Sequence, residues 1–495
     1  MRRSRWARSV AGMVAAACTA GVAVAATEYS FREATQESGI TGVHSVSWGA
    51  VWEDYDGDRD PDLFANRHYL PARLFVNGAG QYVRHAEDFT ELPGYNPQDD
   101  GPMDRHSCAW GEVNGDRVPE LLCIQGADKG TGSGPNQLIF QVGARFVDRA
   151  SRWRIARPRS RGRTLNWLDY DRDGDLDLFL GNAYRKGYPN KLFRNDRDRF
   201  RPVRASGLEL LRHTTSSTWS DWDNDGDPDL LVTFKRHRSV AYENRRGKFR
   251  SVDLGVVTGR RWTSASWGDF NGDGRTDVHL ISPRSSVVAR NLGGRFRKVH
   301  AIGLSQGRAS TWFDVDNDGD LDLFLVQGER DGVNRPNLLL VRRARGFVRL
   351  RSAKWAGSRA GNGDSVVAAD SDLDGDTDLF VTNGHRDGIA VKSQPELLIN
   401  DTVGGRSISL RLVGRRFNPW GMGSRIRVRA GDKIYRREIT DGINYRSQSG
   451  VSVINLGIGS ARGARIKVSW PGGGRDCRWA AAGSLVTIRR GSSSC

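Results

Sequence analysis

Seven times along the chain a nine-residue acidic segment runs directly into an apolar strand. WFDVDNDGDLDLFLV, residues 312–326, shows it most fully: Asp314, Asp316, Asp318, Asp320 and Asp322 place five carboxylates in nine residues. At roughly 5 Å and an effective dielectric near 20, each like-charge pair costs about 3 kcal/mol. The other copies start at Asp54, Glu112, Asp169, Asp221, Asp269 and Asp370, and successive copies lie 58, 57, 52, 48, 45 and 56 residues apart. A period of that length marks repeated β units such as propeller blades, each packing on its neighbours. Such a chain escapes the size limit of a single core.

Each repeat follows one order: a small and aromatic strand, the acidic loop, an apolar strand, a variable segment, and two more strands. The third copy reads TLNW, DYDRDGDLD, LFLGN, AYRKGYP, NKLFRN and RDRFRPVRASGL. Alternation and short turns predict four antiparallel strands per blade. The seventh copy lacks its last strand after PELLIND (395–401), while YSFREATQESGI (29–40) precedes the first copy. The N-terminal piece is expected to supply the outer strand of the last blade, closing the ring and removing an edge. The chain therefore reads as all-β: a seven-bladed β-propeller over 27–402, then a separate small β-sandwich over 403–495. There SISLRLVG, GSRIRVRAG, KIYRREIT, VSVINLGIG, ARIKVSW and SLVTIRR follow without acidic loops.

Numbered from the first acid, positions 1, 3, 5 and 9 of each loop carry the candidate ligands. They are Asp54, Asp56, Asp58 and Asp62; Glu112, Asn114, Asp116 and Glu120; Asp169, Asp171, Asp173 and Asp177; and Asp221, Asp223, Asp225 and Asp229. Loop 5 has Asp269, Asn271, Asp273 and Asp277; loop 6 has Asp314, Asp316, Asp318 and Asp322; loop 7 has Asp370, Asp372, Asp374 and Asp378. Position 7 adds a carbonyl (Asp60, Asp175, Asp227, Arg275, Asp320, Asp376), and Gly319 at position 6 permits a sharp turn. Alternate carboxylates converge when the backbone curls, giving the cage of about six to eight oxygens that Ca²⁺ prefers; Mg²⁺ wants a tighter octahedron. About six such sites are expected, with loop 2 a weak seventh because both its ends depart from Asp. A cation turns the repulsion into attraction.

Residues 1–26 have an Arg-rich start, a modest apolar stretch and an A-x-A ending at Ala23 and Ala25, which reads as a secretory signal. The expected location is extracellular; the alternative is a lipid anchor at Cys18. No transmembrane segment is expected. Beyond the signal, Cys108, Cys123, Cys477 and Cys495 make an even number in an exported chain. Cys108 and Cys123 stand at the places of Leu165 and Leu180 in the third repeat, which suggests Cys108–Cys123 across a hairpin and Cys477–Cys495 at the end.

Of the +17 formal charge, the signal carries +4 and residues 401–495 carry +13, which leaves 27–400 neutral. In SRIRVRA the alternation puts Arg425, Arg427 and Arg429 on one strand face. A surface of this sign attracts polyanions in a salt-dependent way. The connections after each apolar strand emerge opposite the acidic loops and offer a second surface: Arg67, His68 and Tyr69; Tyr184, Arg185 and Tyr188; Arg236 and His237; Arg335; and His385 with Arg386. A solvated sheet face and ordinary solubilising loops are the plain alternatives for these two surfaces.

The loops resemble FG-GAP/VCBS-type repeat propellers, the family that includes integrin α-subunit heads. GMGSRIRV (421–428), GINYRSQS (442–449), INLGIG (454–459) and VSWPGG (468–473) resemble the ASPIC/UnbV domain. The pairing resembles bacterial relatives of the cartilage acidic protein family. The resemblance implies calcium-stabilised propellers used for extracellular interactions and supplies no catalytic residues. No serine elbow, zinc signature or phosphate loop appears, and the nine His are scattered. The expected function is a monomeric extracellular binding module for anionic polysaccharide, cell-wall polymer or a cell-surface protein, without specific nucleic-acid binding. The alternative is an auxiliary or cyclising enzyme of natural-product synthesis, with a pocket in the propeller channel lined by the Trp that precedes six of the loops.

Overall fold

A computed structural model describes residues 28–41, 47–67, 71–85, 104–126, 134–143, 145–329, 335–350, 363–383, 385–386, 389–390, 394–444, 447–493 and 495. Residues 1–26, His68 and Tyr69 lie outside the described residues.

Among the described residues, seven sheets of four antiparallel strands repeat along the chain, and the first of them carries two further strands. Their leading strands are Ser47–Glu53, Arg105–Gly111, Gly162–Leu168, Thr214–Ser220, Ser264–Gly268, Gly307–Phe313 and Gly363–Ala369. Each leading strand touches those of the two neighbouring sheets, and the seventh touches the first, so the leading strands line the centre of a closed ring. This is a β-propeller. The outer strand of the seventh blade is Phe31–Glu33, paired antiparallel with Glu396–Asn400 in the register Phe31↔Asn400. The N-terminal piece thus closes the ring, as the missing outer strand of the last repeat required.

Blade packing explains the recurrent Trp. Trp52, Trp110, Trp167 and Trp219 are buried, whereas Trp267 and Trp312 are half-buried. Three of these rings pack on the residue after the first acid of the preceding blade: Trp110 stacks on Tyr55 at 5.8 Å, Trp312 stacks on Phe270 at 6.2 Å, and Trp267 lies tilted against Trp222 at 5.5 Å. The indole N–H of Trp167 donates to Ala109 O, that of Trp267 to Thr218 Oγ1, and that of Trp312 to Ser266 O, each on the preceding blade. A large ring whose one polar atom finds a partner suits such a seam.

Among the described residues, 406–438 and 454–489 contribute two sheets around an apolar core of their own, which includes Ile408, Leu410, Ile426, Val428, Ile466, Val468 and Trp470. In one sheet Arg406–Val413 lies between Ile454–Gly459 (antiparallel) and Leu485–Arg489 (parallel). The other is antiparallel, in the order Lys433–Glu438, Arg425–Ala430, Gly463–Ser469, Arg475–Ala481. The expectation of a separate unit needs one correction. The short strands Ile443–Asn444 and Ser447–Gln448 leave these sheets and join the first blade, with Val51↔Gln448 in parallel register. Disulfides join Cys108 to Cys123, directly opposite each other on neighbouring strands, and Cys477 to Cys495.

Candidate metal centres

All seven acidic loops join the first strand of a blade to the second, so they share one end of the ring. Each adopts the same double twist. Positions 4 and 6 have positive φ throughout: Gly57 and Arg59, Gly115 and Arg117, Arg172 and Gly174, Asn224 and Gly226, Gly272 and Gly274, Asn317 and Gly319, Leu373 and Gly375. Glycine at position 6 holds in five loops; in loops 1 and 2 the glycine sits at position 4, and Arg59 (φ 90°) and Arg117 (φ 73°) take the left-handed position. The curl points backbone N–H groups at the first acid. The N–H of Gly174, Gly274, Gly319 and Gly375 donates to Asp169, Asp269, Asp314 and Asp370 at 2.8–3.1 Å.

The acids converge as the spacing required. Three carboxylates come within 4.8 Å of one another in the sets Asp54/Asp56/Asp58, Glu112/Asp116/Glu120, Asp169/Asp171/Asp177, Asp221/Asp223/Asp225 and Asp314/Asp316/Asp322. Loop 2 therefore gathers its acids despite Glu at both ends. Burial, with neighbouring carboxylates adding to it, pushes several of these acids above the usual carboxylate range: Asp169 and Asp370 up to about 7 and Asp62 to about 8. Asp221 also rises to about 7 despite the Arg425 guanidinium beside it. Asp169 Oδ1, Asp221 Oδ1, Asp229 Oδ2, Asp316 Oδ1, Asp370 Oδ1 and Asp372 Oδ1 are buried without a hydrogen-bond donor. Buried acceptors normally have partners, so orphaned oxygens concentrated in these loops fit a cation as their partner. An all-oxygen donor set with no nitrogen or sulfur fits a hard ion such as Ca²⁺.

The position-9 acid has a second task. One oxygen of Asp62, Asp177, Asp322 and Asp378 accepts from the N–H at position 2 (Tyr55, Tyr170, Val315, Ser371). The other accepts from a third-strand N–H: Asn77, Asn195, Arg342 and Asn400. Asp229 and Asp277 likewise take the N–H of Asn244 and Asn291. The sequence reading missed these asparagines. Each sends its side-chain Nδ2 across to the previous blade, onto the position-2 carbonyl: Asn77 to Ser371, Asn195 to Val113, Asn244 to Tyr170, Asn291 to Trp222 and Asn400 to Val315, at 2.7–3.0 Å. The signal was present as an Asn at the end of the third strand in five repeats.

The C-terminal sheets lie over this loop face. Arg425 pairs with Asp221, Arg436 and Arg437 donate to the carbonyls of Gly272 and Gly319, and Arg416 donates to that of Gly115. Gly404 and Gly405 sit where any Cβ would meet Asp316 O at 2.2 Å or Asn317 O at 2.4 Å. Residues 441–444 and 447–450 lie at the mouth of the channel and bond the inward edges of several leading strands. Ala50 N–H donates to Ser447 Oγ, and Asn166 Nδ2 and Trp167 N–H donate to Asp441 Oδ2. Gln448 accepts from the N–H of Trp110 and donates to its carbonyl. The channel pocket of the enzyme reading thus has a hairpin in its mouth, with a cavity of about 230 Å³ remaining beside it.

At the opposite rim the expected residues only partly gather. Arg185 lies over the Tyr188 ring at 5.6 Å, and Tyr184 is exposed beside them. Arg67 is buried and bonds Pro71 O; Arg236, His237 and Arg335 are exposed on their own blades. His385 and Arg386 form a short hairpin with Ile389–Ala390. Among the described residues no helix is long and apolar enough to cross a membrane.

The family model of the FG-GAP-like repeat matches residues 169–232, 221–280 and 269–325, and that of ASPIC and UnbV matches 414–494. The chain carries FG-GAP-like repeats and an ASPIC/UnbV domain. Cartilage acidic protein 1 of Homo sapiens is 28% identical over 221 residues, 41% of this chain and 30% of that protein. The Mus musculus protein of the same name is also 28% identical over 221 residues, 31% of its length. The match therefore spans under a third of either relative. Similar solved structures include BBS1N in complex with ARL6DN, soaked with lead (TM-score 0.46, 8% identity, 75% of this chain and 96% of that one). Saccharomyces cerevisiae Sqt1 is another (TM-score 0.38, 10% identity, 68% of this chain and 80% of that one).

Proposed function

We propose that the chain is a secreted, calcium-bound propeller that acts as an extracellular interaction module for anionic polysaccharide or a cell-surface protein. The observation that carries this is the set of buried, donor-less carboxylate oxygens repeated in loops of one geometry. Calcium there is a folding clip: it neutralises each cluster and fixes the end of the ring on which the C-terminal sheets rest. Residues at positions 1, 3, 5 and 9 would hold the ion with the position-7 carbonyl. Two disulfides are consistent with an oxidising, extracellular setting. With the loop face covered, the rim and the outward face of the basic sheet are the surfaces left for a partner. Binding of the mature chain to an array of anionic and neutral polysaccharides, with and without EDTA and at graded salt, tests the reading. Salt-sensitive retention of acidic polymers is expected; indifference to charge, or turnover of a ligand, would contradict it.

A further inference from the structure

Between the basic sheet and the fourth to sixth blades lies a cleft of about 430 Å³, within the range of roughly 300–1,000 Å³ typical of small-molecule sites. Trp267 and Trp312 line it. The equivalent rings in the first four blades are buried; Trp267 and Trp312 are partly exposed, and they also line the channel cavity. Its opposite wall carries Arg427, Arg436 and Lys467. In the sheet register Arg427 stands directly opposite both Arg436 and Lys467, so three cations form one row across three neighbouring strands. Like charges placed directly opposite destabilise a sheet. Arg436 finds the Gly272 carbonyl, but among the described residues Arg427 and Lys467 have no hydrogen-bond or ion-pair partner.

We propose that this cleft binds an acidic sugar, a uronate or a sulfated unit, whose anion bridges Arg427 and Lys467 while the C–H face of its ring lies on Trp267 or Trp312. A guanidinium fork matches a carboxylate or sulfate, and an aromatic wall with a few placed polar groups fixes orientation. Outward from the cleft the same sheet face continues through the cross-strand neighbours Arg429 and Arg465 to Trp479, which is 63% exposed. The cleft therefore holds one unit of a chain that runs on over this row. The inference rests on the reading of the protein as a binder of anionic polysaccharide and gives it an address away from the rim. A nucleobase could stack on the same indoles; the two disulfides, expected outside the reducing cytoplasm, favour the sugar.

The test is isothermal titration, with tryptophan emission in parallel, of the calcium-loaded full chain. The probes are short oligomers of hyaluronate and heparin, a neutral chitin oligomer, and oligothymidylate. Acidic oligomers are expected to bind and shift the emission, with the double variant Arg427→Glu/Lys467→Glu binding at least tenfold more weakly. Arg185→Ala reads the rim as the competing surface and is expected to lose much less affinity than the double variant. Neither cation has a partner to lose, so the double variant should melt no lower than the parent, which separates lost binding from lost folding. Full affinity in the double variant with loss in Arg185→Ala would overturn the cleft and leave the polysaccharide reading standing. No oligosaccharide binding at all would remove both, and tighter oligothymidylate binding would overturn the sugar.

Discussion

The hydroxyl of Tyr435 donates to the backbone carbonyl of Asp318 at 2.8 Å, so a C-terminal ring closes directly over the sixth acidic loop. Gly319, next in the loop, would place any Cβ 2.0 Å from that ring. Domain packing and loop geometry are therefore set by the same few atoms, and what disturbs the loop disturbs the docking.

Chelation should accordingly loosen the C-terminal sheets before it unfolds them. Limited proteolysis is expected to cut the 401–405 connection faster in EDTA than in calcium. Tyr435→Phe should cost about 1 kcal/mol by removing one hydrogen bond. Equal cutting rates with and without metal would contradict the coupling.

The third-strand asparagines should behave as clips between blades. In Asn195→Ala the side-chain donor to Val113 O is lost, which leaves a buried carbonyl unpaired and costs about 1–3 kcal/mol. Asn244→Ala and Asn291→Ala should match it. Gln141, at the corresponding place in the second blade, is exposed, and its replacement by Ala should be close to neutral. Urea denaturation orders the four.

The tryptophans divide by burial. Trp110→Ala should cost about 3–5 kcal/mol, as expected for a large ring removed from a core, and Trp267→Ala less because its ring is already partly in solvent. Chemical denaturation of the two variants gives the comparison.

The pH dependence should reverse on chelation. Asp169, Asp221 and Asp370 near 7, and Asp62 and Asp277 near 8, all lie above the ordinary carboxylate value because burial opposes their charge. A raised folded-state value gives stability that is fully present below the unfolded value near 4 and is lost as pH rises through the folded one. Metal-free protein should thus weaken between about pH 4 and 8, by about 1.4 kcal/mol per pH unit for each proton. Calcium needs the ionised form, so its binding should release protons at pH 6.5 and far fewer at pH 9. Melting curves across pH in EDTA and in calcium, with proton release in weak buffer, check both signs.

Much of this was legible in the residues. The sevenfold period, the displaced outer strand at Phe31–Glu33 and the Cys108–Cys123 pairing each follow from local spacing. The Asn clips were hidden because the distance from position 9 varies, from 14 residues at Asn291 to 22 at Asn400, with the length of the rim connection between them. The pairing of Ser447–Gln448 with the first blade left no local trace: Val51 and Gln448 are brought together by closure of the ring and docking of the sheets, and no periodicity encodes that meeting. Arg59 and Arg117 take, in the first two loops, the left-handed position that Gly319 holds in the sixth. The curl is imposed by the N–H groups that converge on the first acid, such as Arg117 N–H on Glu112, and they hold a non-glycine residue there.

Metal content and thermal stability of one purified sample bear most directly on the loops as ion clips. About six calcium ions per chain are expected, and exhaustive chelation should lower the melting temperature by about 10 °C or more, restored by adding calcium back. A chain that purifies without alkaline-earth metal and melts at the same temperature after chelation would contradict the account.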